Sequence, residues 1–260
     1  MQRALLGSLL VGLCCGILSP YIVLRRLSLV GEGYAHLAFG GIALAFFLGT
    51  PPVLTACAVV VLGSLVMRRL LAKDMYGESA IALILSFGVG LGIILIGASK
   101  GFGVDLFSYL IGSILTLSWS DLGLISGLVG LILLFFILFR RELFLLTFQK
   151  DVATLASKNT KVADYIFSLL VAFTVILAIQ AVGILLVTAL VVIPGLISFI
   201  WAKSFYNSVF ISTIVSVVVA FFGVVSSYAF DITTSGLIVM LLLGVFALSH
   251  VLKRLFMFKF

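Results

Sequence analysis

Nine apolar runs, most of them close to 20 residues long, leave this chain little choice of fold. They lie at 5–24, 29–48, 53–70, 79–98, 122–139, 165–184, 185–200, 209–230 and 233–251. About 20 apolar residues in a helix cross the hydrocarbon of a bilayer. No water is present there to satisfy backbone amides and carbonyls, so each run must satisfy its own, and a helix does that. An outer-membrane barrel would instead show short alternating segments. With 63% hydrophobic and 10% charged residues and a mean hydropathy of +1.40, the chain is too apolar for a soluble domain. The expected fold is all-α, a polytopic transmembrane helical bundle of about eight or nine spans forming a single domain over 1–260. The first run follows only Arg3, lacks a small-residue cleavage site and leads into Pro20 and Arg25-Arg26, so it reads as a span and not a removed signal. The 36 residues 165–200 carry no formal charge and must fold into two spans that turn near 180–183. The stretch 107–116 is too short to cross and reads as a short external or re-entrant helix.

The charges orient the bundle. Arg25-Arg26; Arg68, Arg69 and Lys73; Arg140, Arg141, Lys150, Lys158 and Lys161; Lys203; and Lys253, Arg254 and Lys259 form five clusters holding 14 of the 16 basic residues. The positive-inside rule places these clusters in the cytoplasm, which puts the N-terminus outside, the C-terminus inside and the crossings at nine. The net charge of +7 does not point to nucleic acid, because it lies between apolar runs. Cys14, Cys15 and Cys57 fall in apolar runs and read as small packing residues. The sequence has no GxxxxGK phosphate loop, catalytic triad or metalloprotease signature, so it does not read as an enzyme and implies no intrinsic cofactor.

Two residues stand out inside this apolar frame. Between 27 and 67 the only charged side chain is Glu32, and His36 is one of two histidines in the chain. A spacing of four sets both on one helical face. Counted as continuous helix from Arg26, Glu32 lies roughly 9 Å and His36 roughly 15 Å into a hydrocarbon core about 30 Å thick. A carboxylate and an imidazole there are costly, and together they can bind a divalent cation. Two ligands do not complete a site, but a two-fold dimer would supply two of each. Such a set suits zinc, manganese or ferrous iron. The alternatives are a buried polar pair bonded to neighbouring helices, Glu32 as a partner of Arg25 or Arg26, or a proton relay in a secondary transporter.

Three other segments are distinctive. The longest polar stretch, 140–164, lies between spans; its middle, 148–156, has near-helical apolar spacing through Phe148, Val152 and Leu155. It could dock on a partner or lie on the lipid surface. In 183–198, Pro194 and Gly195 should break or kink a span near its cytoplasmic end. Asp231 reads as a cap for the last span, and His250 as interfacial.

Taken in order, these segments resemble the membrane permease subunit of the zinc/manganese/iron ABC importer family (ABC-3 type). The most specific stretch is 25–46, RRLSLVGEGYAHLAFGGIALAF, where Arg25, Arg26, Ser28, Gly31, Glu32 and His36 fall on the family pattern, with Glu32 in place of its usual aspartate. Further matches lie at 109–113, 148–156, 183–198 with its Ile-Pro pair, and 228–236. The resemblance implies a homodimeric permease in the cytoplasmic membrane. It also implies two cytoplasmic ATPase subunits that bind the ATP, an extracytoplasmic metal-binding protein, and a divalent metal ion as cargo. It assigns Glu32 and His36 to the metal path and 140–164 to a cytoplasmic coupling loop in which Phe148, Asp151, Val152 and Leu155 meet the ATPase. Gln149-Lys150 and Lys158-Asn159 depart from the family's acidic and glycine-containing pattern there.

Overall fold

The described residues form ten helices. The structure, a computed structural model, describes residues 2–73, 75–98, 117–149 and 158–257. The helices are α1 (Gln2–Leu24), α2 (Val30–Leu48), α3 (Pro52–Leu71), α4 (Gly77–Ala98), α5 (Trp119–Leu138), α6 (Arg140–Phe148), α7 (Lys158–Val182), α8 (Ile184–Trp201), α9 (Phe205–Phe230) and α10 (Thr234–Met257). Eight of them are long and apolar enough to cross a membrane. The other two are α6, with 9 residues, and α8, an apolar helix of 18 residues. The all-α polytopic bundle expected from the sequence is therefore the fold observed. The proposed short helix at 107–116 lies outside the described residues.

Local chemistry explains where the helices begin and turn. Ser118 and Asp121 form a capping box on α5: the Asp121 N–H donates to Ser118 Oγ at 3.2 Å and the Ser118 N–H donates to Asp121 Oδ2 at 2.9 Å. Ser204 caps α9 through the Asn207 N–H. The turn expected near 180–183 falls at Gly183, whose φ of +83° is open to glycine at little cost and separates α7 from α8. Asp231 closes the end of α9 in a left-handed conformation, with its N–H on the Ser227 carbonyl.

Pro194 does not break its helix, contrary to one sequence expectation; α8 continues through it to Trp201. Ser19 of α1 reaches across at that point. Its hydroxyl accepts from the Gly195 N–H at 2.8 Å and donates to the Val192 carbonyl at 3.3 Å. A neighbouring side chain thus bonds backbone groups on either side of the proline, while the carbonyl that the proline frees is that of Leu190, one turn earlier.

The helices pack in two groups. In one, α1 packs against α5, α8 and α9, while α10 packs on α8 and α9. In the other, α2 packs against α3 and α4. Helix α7 touches members of both groups, as does α8. Small residues set the seams, as expected where lipid supplies no drive for apolar contact. The Ser212 hydroxyl of α9 donates to the Gly16 carbonyl of α1 at 2.8 Å. On the outside, Leu54, Ile94 and Ile137 stand exposed where lipid would solvate them.

Candidate metal-path site

Arg25 to Leu29 form a turn before α2, with Arg26 at φ +58°. This corrects the depth expected from a continuous helix. Glu32 is the third residue of α2 and lies in its first turn, where the helix dipole favours a carboxylate. Counted from Val30, Glu32 is only about 3 Å and His36 about 9 Å along the axis.

The structure brings the two side chains together. His36 Nε2 lies 4.0 Å from Glu32 Oε1. Two ligands about 2.1 Å from a tetrahedral ion would stand roughly 3.4 Å apart, so a small side-chain rotation closes the pair on one cation. Both face outward from the chain: Glu32 is 46% and His36 34% exposed at the side chain. The other faces of α2 are packed. Tyr34, Ala35 and Leu37 are buried, and Gly31 lies against Thr188 of α8. Among the described residues no three His, Cys, Asp or Glu side chains gather into a metal-ligand group. A single chain therefore presents an oxygen and a nitrogen ligand on a partly exposed face.

The His36 backbone is fixed by an unusually close seam. A Cβ built on Gly88 of α4 would sit 2.5 Å from the His36 carbonyl oxygen and 2.6 Å from Leu37 Cα. One built on Gly40 would meet the Gly88 carbonyl at 2.6 Å. Only hydrogen fits at these two crossing points. Gly88→Ala is expected to push α4 off α2 and cost about 1–3 kcal/mol, the usual range for overpacking. Thermal unfolding in detergent would show this as a lowered midpoint, and an unchanged midpoint would refute the tight seam.

One charged cluster goes beyond what the sequence announces. Asp164, near the start of α7, pairs with Arg25 at 2.9 Å and with Arg68 at the end of α3. All three side chains are 10–13% exposed. Arg25 also lies over the Phe167 ring, and Arg68 over the Tyr165 ring. Burial pulls the Arg25 guanidinium below its ordinary pKa, and Asp164 opposes that pull. The reading of Glu32 as the partner of Arg25 is thereby overturned. A cavity of about 20 Å³ adjoins the cluster, with room for one water beside Tyr34 and Ser168. The available signal in the sequence is an aspartate at the edge of an apolar run, with two arginine clusters elsewhere to receive it.

Of the residues expected to meet an ATPase, Phe148 is the last of α6 and half-exposed, with Phe144 and Phe205 rings 4.7 and 5.3 Å away. It thus ends a helix that starts at Arg140, whereas the sequence suggests one starting at 148. Asp151, Val152 and Leu155 lie outside the described residues.

Comparison with known proteins places these features in context. The model of the ABC 3 transport family matches residues 1–253. The chain belongs to that family. The manganese transport system membrane protein MntC of Halalkalibacterium halodurans is 30% identical over 250 residues, covering 96% of this chain and 86% of that protein. The chelated iron transport system membrane protein YfeD of Yersinia pestis is 31% identical over 251 residues, covering 93% and 81%. The structure of PsaBC from Streptococcus pneumoniae in complex with Fab superposes with a TM-score of 0.80 at 27% identity, covering 95% of this chain and 90% of that one. The family match bears out the resemblance read from the sequence. It favours an ABC importer permease, a subunit class that is not itself an enzyme, over a proton-coupled secondary transporter.

Proposed function

We propose that this chain is the permease subunit of an ATP-driven importer for a divalent transition-metal ion such as manganese, iron or zinc. The observation that carries the reading is the Glu32–His36 pair, 4.0 Å apart on a partly exposed face of α2 in a chain of this family. Relatives named for manganese and chelated-iron transport support it. An acid and an imidazole cannot be left against lipid without large cost, so this face needs a polar neighbour. A second copy of the chain across a two-fold axis supplies one, and with it a second glutamate and histidine. The metal is cargo, and no resident cofactor is required.

The remaining assignments complete this reading. The chain is one permease domain over 1–260 in the cytoplasmic membrane, with the N-terminus outside and the C-terminus cytoplasmic. The segment 140–164 couples it to a separate ATPase subunit, with Phe148, Asp151, Val152 and Leu155 at the contact. An extracytoplasmic binding protein delivers the ion.

The test is reconstitution of the chain with its ATPase in proteoliposomes. Manganese, iron or zinc should stimulate ATP hydrolysis and accumulate. Val152→Asp places a charge in the apolar contact and should abolish the stimulation while the folded permease persists, since burying an unpaired charge costs several kcal/mol. Full stimulation and ATPase capture by the variant would remove Val152 from the contact. Transport that follows a proton gradient without ATPase would refute the importer.

A further inference from the structure

An open groove lies between α5 and α9, at a part of the bundle that α2 does not line. Both helices pack on α1, which provides the floor. The groove has a volume of about 690 Å³, the scale of a site for one organic ligand. Its walls are apolar: Leu133 and Ile137 on α5, Val209 and Phe210 on α9. Ile137 is 71% and Phe210 65% exposed.

The groove changes character at one end. There it continues into a second hollow of about 400 Å³ lined by Arg140, Arg141 and Tyr206, among others. Arg140 and Tyr206 line both spaces. Among the described residues neither guanidinium has a carboxylate partner, and Glu142 lines neither hollow. Seven residues of rise separate Leu133 from Arg140, so the apolar walls descend roughly 10 Å below the basic rim. That depth lies in hydrocarbon, beyond reach of a water-soluble partner. A transmembrane helix is about 10 Å across and brings an anion to the rim only where it carries an acidic residue there, whereas an anionic lipid carries its charge at that level by construction.

We infer that the groove binds one anionic phospholipid from the leaflet at the basic end. The phosphate sits between Arg140 and Arg141, whose forked donors match its oxygens, and beside the Tyr206 hydroxyl. One acyl chain lies between α5 and α9. Basic pockets between helices at a membrane surface suit such headgroups, and tyrosine suits that depth. The inference requires that the chain spans a membrane and that the ATPase contact proposed for 140–164 leaves Arg140 and Arg141 open to the leaflet; it is independent of the metal reading.

The experiment uses the full chain with whatever subunits copurify. Native mass spectrometry measures retention of dioleoyl phosphatidylglycerol and dioleoyl phosphatidylcholine, and thermal unfolding measures the effect of each. Phosphatidylglycerol should be retained and raise the midpoint, and phosphatidylcholine should do neither. Arg140→Gln with Arg141→Gln should weaken phosphatidylglycerol binding roughly 30-fold, from the two interfacial cations lost. Ile137→Trp fills the groove at a lipid-facing position and should reduce retention with both arginines in place. Lys253→Gln with Arg254→Gln removes the same charge elsewhere and should change nothing. Equal retention of the two lipids, or equal loss with the Lys253 and Arg254 pair, would overturn the site. A midpoint raised equally by glycerol 3-phosphate would reassign it to a soluble phosphate. Disulfide crosslinking of an Ile137→Cys variant to a second copy of the chain would overturn it as well, by showing that protein fills the groove.

Discussion

His36→Ala is expected to abolish metal uptake. The substitution removes the nitrogen ligand of the pair on α2, and in a two-fold assembly it does so twice. Losing a group that merely supports a metal ligand typically costs 10- to 100-fold, so losing the ligand itself should reduce uptake by at least about 100-fold. Glu32→Gln should be comparably severe, because it removes the charge and keeps the shape. Glu32→Asp should be milder, because the carboxylate remains and only its reach changes. None of these should unfold the chain: both side chains are partly exposed, and such sites usually tolerate replacement within about 0.5 kcal/mol. Uptake in proteoliposomes, normalised to folded protein, checks each variant. Ordinary uptake by His36→Ala would remove the pair from the metal path.

Asp164→Asn should have the largest effect on stability. Arg25 and Arg68 share this carboxylate from separate parts of the chain, and the three side chains are nearly buried. Without it two guanidiniums face each other with no counter-charge. Breaking a buried ion pair by removing one partner costs about 3–5 kcal/mol. Replacing the whole cluster by Arg25→Met, Arg68→Met and Asp164→Leu should recover most of the loss, since well-packed apolar substitutes for buried ion networks are often neutral. Thermal unfolding in detergent distinguishes the two outcomes. A variant Asp164→Asn as stable as the parent would show that the network does not hold these segments together.

The spans are legible in the sequence because each carries its own evidence. Length and hydropathy are local, and so is the turn at Gly183 within an uncharged run of 36 residues. Glu32 and His36 are legible because their spacing of four is also local. Their depth is not, since the left-handed Arg26 that interrupts the helix leaves no mark in hydropathy. The Arg25–Asp164 pair joins residues 139 apart, and no periodicity within a segment reports such a partner. The fate of Pro194 is hidden for the same reason: the hydroxyl that serves its helix belongs to Ser19, 176 residues from Gly195.

That hydroxyl has a mechanical meaning. A proline in a long helix ordinarily leaves slack, and slack is where a helix bends. Ser19 takes it up by stitching α1 to α8 at the point where α8 would give. The two helices are thereby tied at that point, whereas the joint between α7 and α8 has a glycine, Gly183, in the backbone and no such stitch among its described bonds.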